Sequence, residues 1–130
     1  MMTINSALRS SGSGLHAERM RMDVISANIA NANSVRTPGQ EAYKRRIVVL
    51  EANDEGVKVQ RLIEDEAPLR AVPEPDNPFA DENGLVYYSN VNPIYEMVNL
   101  MSATRAYEAN VAAFNASKSM LQSALAIGRV

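Results

Sequence analysis

From Met97 onward the apolar residues recur at heptad spacing, and this is the plainest pattern in the chain. Leu100, Tyr107, Phe114 and Leu121 form one row, and Met97, Thr104, Val111, Lys118 and Leu125 the neighbouring one. Two such rows are the seam of a helix packing against another helix. Val91–Val130 therefore reads as one long helical arm, roughly 55–60 Å if unbroken at about 1.5 Å per residue. No proline follows Pro93, alanines are frequent, Gly128 is a plausible stop and Arg129 suits the negative helix end. The outer side of this helix is mostly Asn, Ser and Ala, with charge confined to Glu96, Arg105, Glu108, Lys118 and Arg129. A helix so poor in charge meets protein on more than one side, or is a surface helix that happens to carry few charges.

The first arm repeats the pattern. Leu8, Leu15, Met22 and Ile29 sit seven apart, with Ile4, Ser11, Glu18, Ile25 and Ala32 as companions, predicting a helix over Ile4–Asn31. Ser11-Gly12-Ser13-Gly14 interrupts it, since an interior glycine costs about 1 kcal/mol relative to alanine. Either the helix bends or restarts with Ser13 as cap, or the glycines admit a tightly packed neighbour, which is the preferred reading. Asn28 and Asn31 share a helical face and Asn33 suits a left-handed or capping position, so this block is an asparagine-rich helix end or a pair of specific contacts.

Between the arms the pattern changes. Thr37-Pro38-Gly39 forces a turn; Tyr43–Leu50 reads as a strand; Asn53–Gly56 is a turn and Val57–Ile63 begins with alternation, predicting a β-hairpin. Pro68, Pro73, Pro75 and Pro78 make the next segment extended and irregular, and Leu85–Tyr88 reads as a short strand after Asn83-Gly84. The predicted class is mainly α with a small β-rich insertion: an N-terminal helical arm (1–36), a β-rich or irregular segment (37–90) and a C-terminal helical arm (91–130).

Charge sharpens this division. Eleven of the fifteen acids lie between Glu41 and Glu82, leaving a solvated middle and two sparsely charged ends. The net charge of −2 implies no strong electrostatic partner. Without cysteine there are no disulfides or thiolate metal sites. No apolar run reaches the ~20 residues that span a bilayer, and residues 1–15 lack a signal-peptide core, so another export route is expected if the protein leaves the cytoplasm. Two apolar arms around a small hairpin cover little surface, which predicts arms that are poorly ordered in the free monomer and fold on assembly.

Chemistry is sparse. His16 stands alone and reads as a surface or interface histidine, and no nucleophile elbow, phosphate loop or paired-histidine helix occurs. Glu64-Asp65-Glu66 reads as a solvated acidic run without EF-hand spacing. Tyr43-Lys44-Arg45-Arg46 is too small a basic cluster for nucleic acid in an acidic protein, and reads as a strand-edge guard or a partner for a neighbour's acids. No catalytic, cofactor-binding or metal site is expected, and no enzyme activity.

Four blocks carry a resemblance. They are Ser26–Asn33 with Tyr43–Arg46; Asn77–Gly84; Ser89–Asn92 leading to Glu96–Asn99; and Arg105–Asn110 with Lys118-Ser119-Met120. On these the chain resembles the bacterial flagellar basal-body rod protein family along nearly its whole length, and is most similar to the proximal-rod branch. The resemblance implies a structural, self-assembling subunit of a helical tube that transmits torque, its two arms (1–36 and 91–130) together forming one helical domain with their helices paired as a coiled coil, and residues 37–90 forming the outer segment. It further implies type III export without a cleaved signal, and residence in the rod crossing the periplasm. The partners it implies are copies of itself, FlgB, distal-rod subunits and the export apparatus, with no nucleic acid and no membrane insertion. The assembly interface is expected at Leu8, Leu15, Met22, Ile25, Asn28, Ile29, Asn31, Met97, Leu100, Arg105, Tyr107, Asn110, Val111, Phe114, Leu121 and Leu125. A freestanding helical adaptor or secretion-chaperone-like module is the alternative, distinguished by protected terminal helices in dilute solution.

Overall fold

The structure, a computed structural model, describes residues 3–128. Its element order is α1 (Ile4–Ala30), β1 (Arg46–Asn53), β2 (Gly56–Glu64), β3 (Arg70–Pro73), β4 (Leu85–Tyr88) and α2 (Pro93–Ile127). The two predicted helices and the middle strands are present, as two two-stranded sheets, β1–β2 and β3–β4.

Both helices begin where side chains satisfy the first free N–H groups. At α1, Thr3 Oγ1 accepts the Ser6 N–H at 3.1 Å while Ser6 Oγ accepts the Thr3 N–H at 2.7 Å, a reciprocal cap. At α2, Asn92 Oδ1 accepts the Ile94 N–H at 3.0 Å and Pro93 occupies the first turn, where its missing N–H costs nothing. The helix α1 runs unbroken through Gly12 and Gly14, so the restart at Ser13 does not occur. Close approach holds for one glycine only. A Cβ on Gly14 would lie 2.9 Å from the Asn110 amide, whereas one on Gly12 would meet nothing within 4 Å. Asn33 is not left-handed, because no described non-glycine residue has positive φ. The last turn instead closes with the Asn31 N–H donating to Ala27 and Asn28 carbonyls and the Ala32 N–H to Ile29 O. Arg129 lies outside the described residues.

In the middle, Asp54-Glu55 links β1 to β2 as expected; β1 starts at Arg46, later than the expected Tyr43, and β2 at Gly56, one residue before the expected Val57. The Pro-rich segment holds a strand that its prolines conceal: β3 pairs antiparallel with β4 from Arg70↔Tyr88 to Pro73↔Leu85. Pro73 is tolerated because it sits at the strand's end in a two-stranded sheet.

The chain divides into two compact units. The first comprises the described residues up to Met22, Val48–Arg61 and those from Met101 on; the second comprises Asp23–Ile47 and Leu62–Leu100. These units cut across the helical arms rather than following them. Their cores differ. The second unit holds the buried residues Ile25, Asn28, Ala32, Ala42, Val86, Ser89, Val91 and Glu96, while among described residues only Ala17 and Ala103 are buried in the first.

Candidate functional site

The second unit is built around a buried polar cluster. Asn28, on the last turn of α1, and Glu96, on the first turn of α2, are each 1 % exposed. Asn28 Nδ2 donates to Arg46 O at 2.9 Å and Glu96 Oε2 at 3.2 Å. Its Oδ1 accepts from the Tyr43 hydroxyl at 2.8 Å and the Arg46 N–H at 3.0 Å. Two donors and two lone pairs exhaust what an amide side chain offers, so Asn28 has no capacity left for another chain. Expected among the assembly contacts, Asn28 makes these four bonds within its own chain.

Arg45 completes the cluster. Its Nε donates to Glu96 Oε1 and its Nη1 to Asp65 Oδ2 at 3.2 Å, so one guanidinium is shared by two carboxylates. Burial works against the charge of Arg45, but the bonds to Glu96 and Asp65 outweigh it and hold the group more firmly protonated. Burial is also the main reason the Tyr43 hydroxyl is pushed above the usual tyrosine range. Asn90 closes the outer side, accepting the Arg45 N–H at 2.7 Å and donating to Asp65 O and Ala67 O, each at 3.0 Å. No buried side-chain polar atom among the described residues lacks a partner. The cluster ties the inner ends of both arms to the segment between them. It presents no candidate nucleophile paired with a base, and no group of metal-binding side chains occurs among the described residues.

The basic run Tyr43–Arg46 is thereby split. Tyr43 and Arg45 point into the cluster; Lys44 and Arg46 are exposed, with the Arg46 guanidinium 5.7 Å from the Tyr43 ring centre. The acidic run splits likewise, Asp65 facing Arg45 while Glu64 and Glu66 are exposed. Glu96 was missed because its neighbours are uncharged. That isolation was the available signal: a single acid on the first turn of an otherwise apolar helix face, with an arginine run upstream to meet it.

The predicted rows sit as follows. On α1, Leu8, Leu15, Met22 and Ile29 are half-buried, Ile25 is buried and Asn31 is exposed, with its amide turned back onto Ala27 O at 2.8 Å. On α2, Leu100, Tyr107, Phe114 and Leu121 are half-buried. The companion row needs correction as an intrachain seam. It is Glu96, Ala103, Asn110 and Ser117, all buried or half-buried, one position earlier than the row of Met97, Thr104, Val111, Lys118 and Leu125. Thr104 and Val111 are half-buried beside it, but Met97 is 53 % and Leu125 61 % exposed, and Lys118 and Arg105 are exposed. One step along a helix turns the side chain by about 100°, which places Met97 away from the covered row, whereas Leu125 is exposed along with every described residue from 122 on.

Large apolar side chains are therefore exposed on α2, among exposed polar ones such as Ser102, Arg105, Glu108 and Lys118. In the second unit α2 displays Ile94, Tyr95, Met97 and Val98; in the first, Met101, Met120, Leu125 and Ile127. Isolated exposed apolar residues are ordinary, but the four on the first two turns of α2 stand together.

Two family models match the chain: that of the flagella basal body rod proteins over residues 8–39, and that of the C-terminal region of the flagellar basal body rod FlgEFG proteins over residues 82–127. The chain is 39% identical to the flagellar basal-body rod protein FlgC of Bacillus subtilis, covering 98% of this chain and 100% of that one. It is 44% identical to the FlgC of Escherichia coli O6:H1, over 91% of this chain and 92% of the relative. It is 37% identical to the FlgC of Borreliella burgdorferi, over 97% and 98%. With that identity along nearly the full length of each relative, the chain belongs to the FlgC family of flagellar basal-body rod proteins.

Proposed function

We propose that this structural subunit of the flagellar basal-body rod polymerises through its two terminal helices, paired as a coiled coil, into a helical tube that crosses the periplasm and transmits torque. The work is mechanical, with no catalysis. Its neighbours are copies of itself and other rod proteins, FlgB and distal-rod subunits among them, and it reaches them through the flagellar type III export apparatus. The observation that carries this reading is the double-sided α2: one face is taken by the chain itself, and Ile94, Tyr95, Met97 and Val98 remain apolar and exposed. What weighs against a freestanding adaptor or secretion-chaperone-like module is the identity to rod proteins along nearly the whole chain.

The test is Met97→Asp in a strain lacking the native gene. Because Met97 is exposed in the single chain, the variant keeps the wild-type circular dichroism and is exported. Burying an unpaired carboxylate between subunits, however, costs several kcal/mol at every repeat. Loss of swimming together with basal bodies that lack a rod is the expected result. Normal motility with intact rods would remove this face from the assembly interface.

A further inference from the structure

We infer that the turn of the β1–β2 hairpin is a strap that holds the first half of α1 helical in the free chain, with Ser13 as its catch. Local preference does not hold this stretch. Ser10, Ser11 and Ser13 are middling helix formers, and Gly12 and Gly14 are the poorest short of proline. Nor does a core, since Ala17 and Ala103 are the only buried side chains among the described residues of this unit. What reaches α1 here, besides the Asn110 amide against Gly14, is the hairpin turn. Gly56 has φ +129°, and a Cβ built on it would fall 2.2 Å from Ser13 Oγ and 3.0 Å from Ser10 Cα, so the strap's backbone lies directly on the helix.

The hydroxyl of Ser13 is set to catch it. Ser13 Oγ donates to Ser10 O at 2.7 Å, which commits its hydrogen and leaves a lone pair outward. That lone pair accepts the Val57 N–H at 3.0 Å, giving the strand's first residues a partner on the helix. The nearby Arg9–Glu55 pair, 4.0 Å apart and exposed at both ends, adds little. The Ser13 hydroxyl and the Ser10 backbone are thus what the strap meets, while Gly14 faces Asn110 and a Cβ on Gly12 would meet nothing within 4 Å.

Hydrogen exchange on the full-length free chain tests this with three variants. Ser13→Ala improves helix propensity and removes a back-bonding hydroxyl, so a purely local role predicts slower exchange over residues 4–22. The strap predicts the opposite: exchange about tenfold faster over 4–22 and 53–57, with 85–100 unchanged. Gly12→Ala, which meets nothing within 4 Å, serves as the propensity control and slows exchange over 4–22. Gly56→Ala, which displaces the turn from above, behaves like Ser13→Ala. Exchange in Ser13→Ala that equals or is slower than wild type overturns the inference, as does a wild-type segment 4–22 exchanging at the rate of an unstructured peptide. Neither result depends on how subunits meet in the rod.

Discussion

Asn28 illustrates how a single amide can organise a fold. Its four hydrogen bonds reach Tyr43, both backbone groups of Arg46, and Glu96, partners 15 to 68 positions away in the chain. Truncating it takes this partner from the Arg46 carbonyl and N–H, the Tyr43 hydroxyl and a carboxylate oxygen of Glu96, the last fully buried. Each such group left unpaired costs about 1–3 kcal/mol. Asn28→Ala is therefore expected to lower unfolding free energy by about 3 kcal/mol, allowing for partial relaxation around the gap. A urea titration followed by the fluorescence of the tyrosines measures it, and a loss below about 0.5 kcal/mol would show the cluster to be dispensable. At this scale the sequence was only half legible. Asn28 and Asn31 stand on one helical face and look alike as letters; nothing local distinguishes the amide that is buried from the one that turns back onto its own helix. The difference lies in what stands opposite, and Arg45, Arg46 and Glu96 come from other parts of the chain.

Elements follow the same rule, legible where their stability is local. The helices were readable from heptad spacing, and the turns at Gly39, Gly56 and Gly84 from glycines that the structure places at positive φ. Strand β3 was not, because Pro73 and Pro75 argue for irregular chain and only pairing with β4 makes Arg70–Val72 a strand. The ion pairs around β4 add a pH dependence. Arg36 lies 4.3 Å above the Tyr87 ring and grips Glu41 through Nε and Nη2, and that hydrogen bonding holds the Glu41 carboxyl below its ordinary 4.5. Asp81, bonded first to the Leu85 N–H and then to the Tyr87 hydroxyl and the Asn83 N–H, is held below 3.8. Both groups bind a proton less readily folded than unfolded, so their contribution is complete above the ordinary carboxylate range. It is lost as pH falls through the depressed folded values. The melting temperature should thus be insensitive to these two groups from pH 7 to about 5 and decline below about 4. Glu41→Gln and Asp81→Asn should each flatten that decline. A wild-type acid limb retained in the double variant would assign the effect elsewhere.

For the whole molecule the decisive fact is where burial stops. The second unit contains eight buried residues and a fully satisfied polar cluster, whereas along α2 no described residue beyond Ala103 is buried. Val111, Phe114 and Leu121 are covered on one side only, while Met120, Leu125 and Ile127 face out. Sparse charge on both arms suggested that order there depends on neighbours, but reading the arms as units hid a gradient within them. The end of α1 and the start of α2 are pinned by Asn28 and Glu96 in the single chain; the far end of α2 has nothing comparable. A helical run with one half-covered seam retains less than the roughly 1–2 kcal/mol per residue needed to order it, unless other chains cover the remaining faces. In the free subunit, residues 111–127 should therefore exchange their amides orders of magnitude faster than residues 85–100, and the two should converge in isolated rods, where both are slow. Equal protection of the two segments in dilute monomer would mean that the helix end is stable without neighbours. Assembly would then join two finished surfaces, and the exposed apolar side chains of α2 would have to be explained by docking alone rather than by folding coupled to it.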